Sequence, residues 1–404
     1  MASDTASCGL PLSGVTVLDL SRLLPGAYCT LALADLGAEV VKVEDPRGGD
    51  MVRAMPPIAG GASVYFQVLN RNKRSLTLDL RSPEAARILD AVAARADVVV
   101  ESFRPHTAKR LKVSAADLRA RYPRLVHCSI SGFGQTGPYA ERPAHDINFV
   151  ALAGLFEVDQ PRGQEPRHVP RMLVADIGGA LHALAGILAG LFWRERSGQG
   201  STVDISMHEA AFAWLTFPAA RALVGGGELD PSELPITGRE ACYNIYQTAD
   251  GRYVALGAIE PKFWATFCER AGRADLIPLQ YSTGEKQERL FEETARLFRS
   301  ETRDAWLSRF QGVDVCLAPV NSVAEALADP HVAARGAIAR HAGSRFILTP
   351  IRICSSLPDD PDADTPARPS LVGAPELGAD TDAVLAAAGI AEEKRRELRE
   401  RGVI

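Results

Sequence analysis

The sequence predicts an α/β fold: a large domain built on a parallel sheet, with a smaller α+β domain late in the chain. Three observations carry this. Apolar runs of strand length alternate with helical stretches through the first half. Several of those runs lack the in–out alternation of a half-exposed strand, as expected where helices cover both sheet faces. A glycine triplet, Gly225–Gly227, then interrupts the chain, and hairpin and helix signals follow in a different order. At 404 residues the chain is long enough for two cores.

Val15–Leu20 reads as the first buried strand. Pro25-Gly26 opens a helix through Leu36, which Gly37 ends. Glu39–Glu44 and Ser75–Leu80 are the next strands, and Ser82-Pro83-Glu84 starts a helix with Ser as cap and Pro in its first turn. Asp97–Glu101 and Leu125–Ile130 continue the alternation, and Ser131–Tyr139, rich in glycine, is a loop at a strand end. A long apolar helix begins near Asp176 and stops at Arg194–Gly198, where basic residues precede a glycine. Thr202–Met207 is a further strand. Beyond the glycines, Asn244–Gln247 and Tyr253–Leu256 predict a hairpin, with helices around Phe263–Ala271 and Gln287–Phe298. Val313–Val320 is expected to lead back to the first domain, Pro358–Pro366 to be a surface loop, and Lys394–Arg401 a solvated helix end. The expected boundaries are 1–222 and 321–404 for the large domain, 230–320 for the small one, and 223–229 for the linker. In such sheets ligands bind beyond the carboxyl ends of the strands.

Bulk properties narrow the function. A net charge of −5 argues against a general nucleic-acid or membrane-surface binder, so an anionic ligand must be met by a local basic cluster. Seven scattered cysteines without a Cys-x-x-Cys argue against a disulfide framework or zinc site and point to a reducing cytoplasm. Met1–Pro11 has neither a basic start nor a long apolar run, so it does not read as a signal peptide. Ile177–Trp193 is slightly short for a membrane span and reads as a core helix.

Asp146 and Asp176 sit where loops enter helices, and His145 precedes the first of them. On residue chemistry alone the two aspartates read as helix caps, worth about 1 kcal/mol each. An imidazole and a carboxylate at neighbouring helix starts are also two proton carriers. Glu260, before Pro261, reads equally as a cap.

Longer motifs weigh these alternatives. Leu12–Val15, Asp35–Glu44, Asn70–Ser75, Glu101–Pro105 and Ser131–Pro138 together resemble the family III coenzyme A transferases, which include the alpha-methylacyl-CoA racemases. His145-Asp146-Ile147-Asn148 and Gly257–Pro261 are similar to the racemase segments in particular. The resemblance implies a Rossmann-like large domain, a smaller α+β domain and two chains interlinked as a homodimer. It implies an acyl-CoA substrate, with no cofactor beyond its CoA moiety, no metal, no nucleic-acid or membrane partner, and either of two reactions. One is racemisation at the α-carbon by 1,1-proton transfer, with His145 and Asp176 as carriers and Glu260 and Asp146 tuning them. The other is CoA transfer through an acyl and then a CoA adduct of Asp176. Arg104 and Arg110 are implied as CoA contacts, since guanidinium forks bind phosphate bidentately and a helix start adds donors. Phe103, Leu78 and Leu80 are implied near the adenine. Lys73 and Arg74 read either as a further anchor or as a charged turn. Many members of the family place an arginine where this chain has Asp45, which leaves Arg47 to take that role. The start of the helix at Asp176 is expected to offer backbone N–H groups to an enolate, with Gly178-Gly179 allowing close approach.

Overall fold

The computed structural model describes residues 10–158, 171–226, 234, 236–353 and 370–404. The chain divides into two compact units, one of Met1–Phe156, Arg167–Thr216 and Gly336–Ile404, the other of Glu157–Pro166 and Phe217–Arg335.

The large sheet of the first unit has six strands: β1 (Thr16–Leu20), β2 (Glu39–Glu44), β3 (Lys73–Thr77), β4 (Val98–Glu101), β5 (Val126–Ser131) and β6 (Ser201–Ser206). Their order is β3-β2-β1-β4-β5-β6, and each neighbouring pair is parallel. This is the doubly wound, Rossmann-type order, whose switch point lies between β1 and β4. Successive residues serve opposite faces. Leu18, Leu20, Val41, Val43 and Val99 join one core; Val17, Val40, Val98 and Val100 join the other. Each fully buried Val or Leu contributes about 1.5–3 kcal/mol.

Helices cover both faces. They are α1 (Leu23–Asp35), α2 (Ala85–Ala93), α3 (Pro105–Arg110), α4 (Asp146–Leu152), α5 (Val174–Ser197) and α6 (Met207–Ala213). On the first face α2 packs with Val384, Leu385 and Leu398 from the C-terminal segment. On the second, α1 packs beside α5 through Cys29, Leu33, Ala183, Leu184 and Ile187. α5 is long and apolar enough to cross a membrane by length and composition, but it lies on the sheet. Gly190 makes that approach possible: a Cβ there would stand 2.5 Å from Ser201 Oγ and 2.9 Å from a Val126 methyl. Gly198, at φ 74°, ends the helix in the left-handed conformation, as its sequence predicts.

Three local expectations shift. β3 starts at Lys73 and stops before Leu80, because the Asp79 carboxylate accepts the Arg81 N–H at 3.0 Å in an Asx turn. α2 starts at Ala85, after a turn in which Ser82 Oγ accepts the Glu84 N–H. α5 starts at Val174, with Leu173 as its cap residue.

The second unit contains the expected hairpin, β7 (Tyr243–Gln247) with β8 (Tyr253–Gly257). α7 (Pro261–Arg270) and α8 (Glu285–Phe298) cover it, and Trp264, Phe267, Phe298, Trp306 and Phe310 fill its core. Val313–Val320 does not lead out of this unit. Leu317–Pro319 is β9, antiparallel to β8 with Val254 opposite Pro319, and the unit runs on to Arg335. The longer segment of the unit begins at Phe217, ahead of the expected linker, part of which lies outside the described residues, as does Pro358–Pro366.

Candidate active site

A cleft of about 370 Å³ opens at the carboxyl edge of the large sheet. Its wall comes from the segments after β1 (Arg22, Leu23), β4 (Ser102, Phe103, Arg104) and β5 (Ile130–Gly132), with Arg142, His145 and Asp176 opposite. It therefore straddles the switch point between β1 and β4, where the connections leave in opposite directions and part from one another.

His145 is the cap residue of α4, with extended backbone, and its N–H is held by Asn148 Oδ1 at 3.0 Å. The ring is exposed and lines the cleft. Asp176 lies in the first turn of α5, half-buried, and no donor among the described residues reaches its carboxylate. Burial, and then the Asp146 charge, push its carboxyl up to about 6. Asp146 is buried below: its Oδ1 accepts the Ala175 and Asp176 N–H groups at 2.8 and 2.9 Å. An aspartate on α4 thus caps α5 from outside, and neither Asp146 nor Asp176 is the cap residue of its own helix.

That capping corrects one expectation. Two of the N–H groups at the start of α5, those of Ala175 and Asp176, are already paired with Asp146, so these two are not free to stabilise an enolate oxygen. Gly178 and Gly179 do not face a ligand either. A Cβ on Gly179 would meet Met207 Cγ at 3.0 Å, and one on Gly178 would meet Trp214 and Ala210, so these glycines admit α6.

The predicted basic residues scatter. Arg104 is exposed, lines the cleft and has no carboxylate partner among the described residues. Phe103 lines it too, under the Arg22 guanidinium at 5.7 Å. Arg110 does not line it; it closes the last turn of α3, where a cation meets the helix dipole. The start of α3 adds no free donor, because the His106 N–H goes to Glu141 at 2.7 Å. Lys73 is enclosed, with Nζ 2.8 Å from Thr30 Oγ1, 3.0 Å from Asn70 Oδ1 and Ala27 O, and 3.4 Å from Asp19. Burial outweighs the attraction of Asp19 and brings its ammonium down to about 8. It is a core cation, not a phosphate anchor. Arg74 opens β3 at the edge opposite the cleft and pairs with Glu39 at 2.5 Å and Asp380 at 3.1 Å.

Leu78 and Leu80 line a second, smaller cavity of about 170 Å³ with Val43, Asp45, Asp79 and Arg81, so the two leucines and Phe103 are not gathered in one cavity. Arg22 borders both. Arg47 grips Asp45 through Nε at 3.0 Å and a terminal nitrogen at 2.9 Å, and reaches Asp79 at 3.3 Å. Glu260 belongs to the second unit, where it is the exposed cap residue of α7.

Sequence reading missed Arg22 and Arg142. Arg22 follows the carboxyl end of β1 closely, as Arg104 follows β4, so inspecting the residues after every strand would have found it. Its backbone is clamped: its N–H donates to Ser102 Oγ at 3.0 Å, and that of Leu23, at φ 61°, to Asp50 at 3.3 Å.

The chain is similar to known proteins along nearly its whole length. The family model described as CoA-transferase family III matches residues 12–381. Human alpha-methylacyl-CoA racemase is 32% identical over 391 residues, 96% of each chain. Human succinyl-CoA:glutarate CoA-transferase is 33% identical over 334 residues, 81% of this chain and 76% of the relative. A CAIB/BAIF family protein from Brucella suis, solved by crystallography, aligns with a TM-score of 0.79 at 29% identity, covering 94% of this chain and all of its own.

Proposed function

The chain belongs to CoA-transferase family III, and on that premise we propose that it is an acyl-CoA racemase or epimerase that inverts the α-stereocentre of a 2-methylacyl-CoA thioester. The observation that carries this reading is one cleft lined by both His145 and Asp176. In it the Asp176 carboxylate removes the α-proton, leaving an enolate, and the His145 imidazolium returns a proton to the other face. The roles reverse for the opposite epimer. A carboxyl raised to about 6 is better matched to this task than an ordinary aspartate, because its basicity lies nearer the working pH. Asp146 holds the Asp176 backbone in place. Glu260 tunes the site in this reading, and Arg104 meets a CoA phosphate. No cofactor is needed beyond the CoA of the substrate, and the enzyme works in the cytoplasm as an interlinked homodimer. Support for association comes from Phe192, Trp193, Phe212 and Trp214, all more than half exposed; a single 43.3 kDa species by light scattering would rule it out.

Incubating one epimer of a 2-methylacyl-CoA in heavy water, with no second acid present, tests the reaction. Deuterium enters the α-carbon and the epimers equilibrate; no exchange across a series of branched acyl-CoAs would sink the reading.

A CoA transferase is the second reading, favoured by the similar identity of the succinyl-CoA:glutarate relative. Here Asp176 attacks the thioester carbonyl and expels CoA as thiolate. The thiolate then attacks the resulting anhydride at the aspartyl carbonyl, releasing the first acid and leaving an aspartyl-CoA thioester for the acceptor acid. His145→Ala separates the two: CoA exchange between acids survives it, while α-proton exchange does not.

A further inference from the structure

We propose that Glu101 is a positioning residue for the Phe103-Arg104 wall of the cleft, acting through the Phe103 amide. Glu101 ends β4 and is fully buried. Its Oε2 accepts the Phe103 N–H at 2.7 Å, while Oε1 is buried with no hydrogen-bond partner. The pairing register sets Glu101 opposite Ser129 on β5, and Ser129 opposite Asp204 on β6. The three residues therefore form one row across the sheet. At its far end Asp204 accepts the Gln135 N–H at 3.1 and 3.2 Å. Glu101 thus holds the loop that follows its own strand, and Asp204 the loop that follows the neighbouring β5.

A buried, unpaired carboxylate beside a second one is costly to ionise. Burial pushes Glu101 up to about 7, with Ser129 and the Phe103 N–H opposing and Asp204 adding to the rise. Cys128 on β5 is the other titratable group that it acts on, and no basic side chain among the described residues pairs with it. Neutral, Glu101 accepts the Phe103 N–H and repels nothing. Ionised, it is the stronger acceptor, and its bond to the Phe103 N–H favours the charged form. The wall that faces the ligand is then held more tightly as pH rises through neutrality.

The inference rests on the cleft being the acyl-CoA site, and calorimetric titration with CoA separates the two claims. The part of the wild-type affinity that Glu101 supplies rises between pH 6 and pH 8. Glu101→Gln keeps the acceptor and the neutrality, so it retains the affinity seen at pH 6 and loses that part of the pH dependence. Glu101→Ala weakens CoA binding roughly ten-fold at either pH and raises KM, with kcat in the exchange assay little changed. CoA's own phosphate titrates alike in all three proteins, so the difference between them reports Glu101. If Glu101→Ala does not fold, the pH curve of Glu101→Gln decides. A wild type that binds CoA while Glu101→Gln follows the same pH curve overturns the positioning role alone. A wild type that binds no CoA overturns both claims.

Discussion

Two neighbouring cavities at one sheet edge differ in what their arginines are doing. In the larger cleft, Arg104 and Arg142 have no carboxylate partner among the described residues; Arg142 leans on the Tyr139 ring, and Arg22, which borders both cavities and acts electrostatically on Asp45, leans on the Phe103 ring. In the smaller cavity, Asp45 and Asp79 hold Arg81, and they also hold Arg47, which does not line it. A guanidinium that already holds a carboxylate gains little from a phosphate, since it must give up one charge-assisted contact to make another. One leaning on a ring gives up far less. Counting basic residues therefore misleads here, and counting those without an acidic partner favours the larger cleft as the place for the CoA phosphates in the function proposed above.

The largest test strikes the chemistry of that cleft. Asp176→Asn lowers α-proton exchange by roughly 10²–10⁴-fold with folding intact, checked by deuterium incorporation and circular dichroism. His145→Ala gives a loss in the same range for exchange but spares any CoA transfer, measured with paired acid acceptors. Next comes the contrast between the cavities. Arg104→Ala raises the KM for an acyl-CoA by about 10–100-fold, from a lost charge-assisted contact of about 1.5–3 kcal/mol. Arg81→Ala, made in parallel, leaves it near wild type; equal effects would erase the distinction.

Smaller effects sharpen it. Asp176 is raised to about 6, so it is ionised at neutral pH, and kcat/KM falls as pH drops below about 6. Asp146→Asn removes the charge that helps raise Asp176, so the acid limb of that profile moves to lower pH. Smallest is Asp45→Ala. Loosening Arg47 and Arg81, which Asp79 still holds, tightens CoA binding by no more than about five-fold, in keeping with exposed ion pairs worth about 0.2–1 kcal/mol.

Much of the fold is legible because it is local. The strands reaching Glu44, Glu101 and Ser131, the long helix up to Gly198 and the hairpin at Gly251 all announce themselves through apolar runs and stop residues. Val313–Val320 misleads for the opposite reason: its apolar run marks a strand, but its partner, β8, is chosen by the sheet it completes. Lys73 and Arg74 look alike in sequence, yet one is sealed beside Asp19 and the other pairs at the edge away from the cleft. Asp146 reads as a cap for its own helix and instead caps α5, about thirty residues on.

Periodicity, turn residues and family motifs thus specify the alternating elements, the large parallel sheet and the candidates His145, Asp176 and Arg104, because each depends on near neighbours in the chain. Which cations remain unpaired, which helix N–H groups are already taken and which cavity each leucine lines are settled only by folding. Charge pairing and burial depend on distances between strands far apart in sequence, and the order β3-β2-β1-β4-β5-β6 sets those distances.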